Sequence, residues 1–148
     1  MTAAPGKTED LLVALERLAL DRWGKGETAG YTDLYADDVT YFDPLVGARI
    51  DGLAAMRAYY APWNGRISVP RHEILNPAVV SSGDLALLTY NLVNFQRDAT
   101  GAESAGSRWN CTEVYRRDGL QWQIVHSHWS FTQHPAFKNM TPERSEGG

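Results

Sequence analysis

An α+β fold is what this 148-residue sequence predicts, and three observations predict it. Apolar residues recur at helical spacing in the first part of the chain. From Arg71 onward the chain reads as four long strand-like runs, and short clusters of turn residues separate them. Helices first and an antiparallel meander afterwards place helices over one face of a sheet. A curved sheet covered in this way encloses a pocket.

The elements follow in order. Thr8, with Glu9 and Asp10 behind it, starts a helix along which Leu11, Leu12, Leu15, Leu18, Ala19 and Trp23 recur until Gly24 and Gly26 end it. Its buried face is expected to be a leucine stripe. A short second helix, about residues 28–35, leads into Ala36-Asp37-Asp38. Val39 to Asp43 then reads as a short strand stopped by Pro44, which lacks a ladder donor and pushes Asp43 towards an extended conformation. Tyr41 and Asp43 therefore share one face and Phe42 takes the other. Asp51-Gly52 reads as a turn, and Leu53, Met56, Tyr59, Tyr60 and Trp63 mark a third helix closed by Pro62 and Gly65. The strands are expected at about 71–80, 85–97, 106–117 and 121–132, with Ser81-Ser82-Gly83-Asp84, Asp98 to Gly101, and Asp118-Gly119 between them.

The bulk properties suit one domain, read here as residues 8–134, with residues 1–7 and 138–148 as loose polar termini. A formal charge of -4 and a pI near 5.5 leave no basic footprint for nucleic acid or for an anionic membrane. No stretch approaches the roughly 20 apolar residues of a membrane span. Cys111 is the single cysteine, so no intrachain disulfide forms. With no signal-peptide core at the N-terminus, the expected location is the cytoplasm.

Asp43 is the candidate catalytic residue because it lies in an apolar, aromatic stretch from Val39 to Val46. A carboxylate there either caps the Pro44 turn or sits in a pocket. Desolvation in a pocket disfavours a carboxylate's charged form, which is how proteins prepare general bases.

Several runs carry a resemblance. Leu34-Tyr35-Ala36-Asp37-Asp38-Val39-Thr40, followed by Asp43-Pro44 and Val46-Gly47, resembles the segment that holds the catalytic aspartate of ketosteroid isomerases. Ile74-Leu75-Asn76-Pro77, Gly83-Asp84 and Arg116-Arg117-Asp118-Gly119 with Trp122 to His126 resemble the association (hub) domain of calcium/calmodulin-dependent kinase II. Both belong to the nuclear transport factor 2-like superfamily, which includes the SnoaL-like proteins, and the resemblance implies a cone-shaped α+β barrel over nearly the whole chain. It places Asp43 on the isomerase base. The isomerase's two oxyanion donors fall instead on Ala19 and Thr112, and the hub pocket's arginines on Leu92, Thr112 and Trp129.

A pocket without arginines should take a neutral, partly apolar ligand, since a buried anion there has no compensating charge. The expected lining around Asp43 is Tyr41, Met56, Tyr59, Tyr90, Leu92, Asn94, Asn110, Thr112, Ser127 and Trp129. Leu88 joins the inward residues of the second long strand and Val114 those of the third. On the last strand the resemblance turns Gln123, Val125, Ser127, Trp129 and Phe131 inward. Trp122, Ile124, His126 and His128 are left on the outer face, an apolar patch that a homodimer would cover. Trp23, Trp63 and Trp122 are read as core or interface residues, and Glu113 and Arg49 as a surface pair.

His126, His128 and Cys111 could together approach a zinc ligand set. The trio lacks a fourth ligand, so neither a metal nor another cofactor is expected. Two functions remain. One is a small cofactor-independent lyase, isomerase or cyclase that uses Asp43 as base on a small-molecule ligand. The other is a non-catalytic ligand-binding or oligomerisation module.

Overall fold

In the computed structural model, which describes residues 5–133, helices α1 (Pro5–Gly24) and α2 (Ala29–Thr32) precede strand β1 (Tyr35–Phe42). A two-residue strand β2 (Ile50–Asp51), helix α3 (Leu53–Tyr60) and a 3-10 turn over Ala61–Trp63 follow. Four long strands complete the chain: β3 (Arg71–Ser82), β4 (Leu85–Arg97), β5 (Glu103–Asp118) and β6 (Gln121–Phe131). All six strands form one sheet in the order β2-β1-β6-β5-β4-β3. Only β1 and β6 run parallel. The α+β class, with helices packed on a mainly antiparallel curled sheet, is therefore the observed one. The expected loose termini, apart from residues 5–7 in the first turn of α1, lie outside the described residues.

The helix faces follow the 3.6-residue period, but not the stripe expected from leucines alone. Helix α1 buries Leu12, Glu16, Ala19 and Leu20, positions i, i+4, i+7 and i+8 of one face. Leu11 and Leu18 are 45% and 60% exposed. The true stripe contains a carboxylate, which an apolar count passes over.

Breaks in strand register curl the sheet around the core. They fall between Tyr35 and Thr40, Leu75 and Ala78, Val93 and Phe95, and Val114 and Tyr115; such bulges bend a strand and sharpen its twist. Near the second, Asn76 takes a positive φ of 51°, a conformation Asn tolerates better than most residues. At the last, Val114 faces His126 while Tyr115 faces Ile124, which leaves Val125 as the extra residue of β6.

That bulge corrects the assignment of faces on β6. Ile124 is fully buried and Trp122 nearly so, on the same side as Ser127 and Trp129. Neither belongs to an outer patch beside His126. Strict alternation fails because one unpaired residue changes the parity of everything beyond it.

Strand β5 needs the opposite correction. Cys111, Glu113 and Tyr115 are its buried side chains, and Asn110, Thr112 and Val114 take the other face. The register explains it: Cys111 lies between Tyr90 and Trp129, and Glu113 between Leu88 and Ser127. Glu113 is thus not a surface partner of Arg49, whose guanidinium instead pairs with Asp51 at 2.6 Å.

The segment after α3 is tied to the end of α1. The Val69 amide donates to the Gly24 carbonyl at 2.9 Å, and the Gly65 amide to that of Gly26 at 2.8 Å. A Cβ on Gly24 would lie 2.6 Å from the Val69 carbonyl oxygen, so this approach needs glycine. Asn64 Oδ1 accepts from the Thr28 amide and from the Thr28 hydroxyl, each at 3.2 Å. Trp63 and Ile67 are carried on this anchored segment.

Candidate active site

Between the helices and the curled sheet lies a cavity of about 220 Å³, smaller than the roughly 300–1,000 Å³ of drug-sized ligand sites. Leu20 and Trp23 of α1 and Tyr31 of α2 form one side, and Tyr59 and Tyr60 of α3 another. The sheet supplies Tyr41, Leu92, Asn94, Trp109 and Trp129, while Asp43, Leu45, Trp63 and Ile67 come from loops and the 3-10 turn. Eight of these fourteen residues carry Trp or Tyr rings, and Asp43 is the one formally charged side chain among them.

Asp43 follows directly on β1, where Pro44 ends the strand. Its carboxylate is held from three directions. The Tyr41 and Tyr59 hydroxyls donate to Oδ2 at 2.9 and 2.6 Å, and the Leu45 amide donates to Oδ1 at 2.7 Å. The last bond is the Asx turn expected of an aspartate before proline, so Asp43 both caps the turn and faces the cavity. A carboxylate offers about four lone-pair directions; three are filled, and the remaining one is on Oδ1.

Burial raises the pKa values of Tyr41, Tyr59 and Tyr60 above the ordinary tyrosine range, and the Asp43 carboxylate adds to the rise at each. These hydroxyls stay protonated and can only serve as donors or neutral acceptors near neutrality. Tyr60 shares a hydrogen bond with Tyr35 at 3.0 Å. On the far wall, Ser107 Oγ accepts from the Trp109 indole at 2.9 Å and from Asn94 Nδ2 at 3.2 Å. The Trp129 indole N–H has no acceptor among the described residues.

Of the residues expected around Asp43, Tyr41, Tyr59, Leu92, Asn94 and Trp129 line the cavity. Met56 and Ser127 are fully buried in the core, and Tyr90 is buried behind Trp129, with ring centroids 6.1 Å apart. Asn110 and Thr112 do not reach the cavity. They lie on the outer face, where Asn110 bonds Asn91, Ser130 and Thr132, because the inward positions of β5 are those of Cys111, Glu113 and Tyr115. Cys111 faces inward and His126 and His128 outward, so the sheet itself separates the zinc trio.

The sequence reading missed three tryptophans. Trp23, Trp63 and Trp109 line the cavity; the first sits one turn beyond Ala19 on the buried stripe, a signal that was available. It also missed the ionisable cluster beneath the lining. Glu16 is fully buried and accepts from the hydroxyls of Tyr31, Tyr90 and Tyr115 at 2.9, 2.8 and 2.6 Å. Glu113 is also fully buried, with Oε2 unpartnered among the described residues and Cys111 Sγ 3.5 Å from Oε1. Desolvation raises both carboxyl pKa values, that of Glu113 further because Glu16's charge faces it. Glu16, stabilised by three hydroxyls, is the ionised member, and Glu113 is the one that keeps a proton.

A family model described as a SnoaL-like domain matches residues 19–134. Among solved structures, a ketosteroid isomerase-like protein from Parabacteroides distasonis is 32% identical, over 84% of this chain and 88% of the other, at a TM-score of 0.73. A nuclear transport factor 2-like protein of unknown function from Pseudomonas putida is 27% identical over 90% and 94%, at 0.70. The association domain of calcium/calmodulin-dependent kinase II from C. elegans is 24% identical over 83% and 95%, at 0.69, a likeness of fold.

Proposed function

The chain belongs to the SnoaL-like domain family, and from that premise we propose that it is a cofactor-independent catalyst of proton transfer on a small organic molecule, with Asp43 as general base. One observation carries this reading: a carboxylate at an aromatic cavity, oriented by two tyrosine hydroxyls and a backbone amide, with one acceptor direction left over. Asp43 Oδ1 takes a proton from a carbon beside a carbonyl. The C–H bond breaks, and its electron pair moves to the carbonyl oxygen as an enolate. Return of the proton to another carbon gives an isomerisation, loss of a β-hydroxyl a dehydration, and attack on a second carbonyl a cyclisation. The Trp129 indole and the second N–H of Asn94 are the candidate donors to the developing oxyanion.

The test is Asp43→Asn on the intact chain. Asparagine keeps the shape and accepts no proton, so turnover should fall by roughly 10²–10⁴-fold, the usual contribution of a positioned base, well beyond any change in ligand affinity. Unchanged turnover would remove Asp43 from the chemistry.

A second reading is a non-catalytic binding or assembly module. It is favoured by the fold shared with the kinase association domain; Thr112, expected at an oxyanion position, faces away from the cavity and supplies no donor there. In either case the outer sheet face is a candidate homodimer surface.

A further inference from the structure

The absence of arginine in the cavity points to a neutral ligand when the sequence is read alone. The geometry adds a reason to go further. Asp43 is not merely the one charge in the lining: behind the wall the buried Glu16 carboxylate adds to it, Glu113 beside it holding its proton, and among the described residues no Lys, Arg or His is buried to balance them. The interior is acidic without a counter-charge.

The walls have the same polarity. The hydroxyls of Tyr31, Tyr60 and Tyr59 are committed to Glu16, Tyr35 and Asp43, so the cavity is left with their rings. Neighbouring rings stand nearly perpendicular: Trp109 to Trp129 at 88°, Tyr31 to Trp129 at 85° and Tyr41 to Tyr60 at 86°. These pairs pack edge to face, eight Trp and Tyr residues line the cavity, and aromatic faces carry the negative part of the ring quadrupole. A cation is the ligand that gains from the aromatic lining and from the carboxylate together.

We propose that the cavity takes an organic cation, an ammonium group on a small apolar body, with its charge among the rings and facing Asp43. This rests on the reading of the cavity as the ligand site. A positive charge held there also offsets the negative charge that proton removal by Asp43 leaves on a substrate. The cavity's modest volume fits a compact ligand.

Choline and its uncharged carbon isostere, 3,3-dimethylbutan-1-ol, are probes of nearly equal shape. Titrated against the full chain by tryptophan fluorescence and calorimetry, choline should bind more tightly by about tenfold or more, the margin expected of a desolvated cation–π site. Trp63→Leu, at a partly exposed residue of the mouth, should weaken choline several-fold with little effect on the alcohol, and Asp43→Asn should narrow the gap between them. Equal affinities, a preference for the alcohol, or no binding by either overturns the proposal. Turnover is a separate readout. Activity lost in Asp43→Asn with no preference for the cation removes the cation site alone; a clear preference with turnover untouched in Asp43→Asn supports the cation site and removes the base.

Discussion

Glu113 shows how much a single buried carboxyl sets. Its native pKa lies well above the ordinary value of 4.5 because burial and the facing Glu16 both disfavour a second charge, so the folded protein holds a proton that the unfolded chain releases. The native state then binds more protons between the two values, and stability falls as pH rises from about 4.5 towards the raised native value, by up to ~1.4 kcal/mol per pH unit for one proton. Glu113→Gln cannot titrate. Urea unfolding from pH 5 to 8 should show a shallower decline for this variant than for the parent; equal slopes would place the proton elsewhere. Asp43 makes a contrasting residue. Three donors orient it at the cavity, and Asp43→Asn should therefore act on turnover.

At the scale of elements, α1 and α2 meet at Gly30, where an added Cβ would lie 2.8 Å from both the Ala19 carbonyl oxygen and Arg22 Cβ. The backbone oxygen cannot move aside easily, so Gly30→Ala should destabilise by about 1–3 kcal/mol, the range for overpacked sites, read as a lowered denaturant midpoint at unchanged slope. If the midpoint holds, the helices have room to separate. The same elements mark what could be read from sequence. Strands β3 to β6 were legible because turn residues punctuate them, and Asp43 because an acid before proline in an aromatic run is conspicuous. The face of β5 was not, because Cys111, Glu113 and Tyr115 on one side look no more apolar than Asn110, Thr112 and Val114 on the other. Nor was the face of Trp122 and Ile124, since the bulge at Val125 leaves no mark in composition. Glu16 was hidden by its charge: only three hydroxyls from distant positions make an acid acceptable there.

For the whole molecule, the outer sheet face carries Leu75, Val80, Leu85 and Leu87, all more than a third exposed, with Val80 and Leu87 paired across β3 and β4. Apolar side chains gathered on one face favour a second copy of the chain. Light scattering at micromolar concentration should give a dimer, and Leu87→Glu a folded monomer; a monomeric parent would end the idea. Glu16 bears on assembly in another way. Among the described residues its carboxylate accepts from the hydroxyls of Tyr31, Tyr90 and Tyr115, which arrive on α2, β4 and β5. A partly docked α1 would bury a carboxylate with too few donors, and such a charge costs several kcal/mol. Docking of the first helix is therefore most favourable where α2, β4 and β5 already present these hydroxyls. The acid at its centre thus penalises any arrangement that seats α1 with its tyrosine partners out of place.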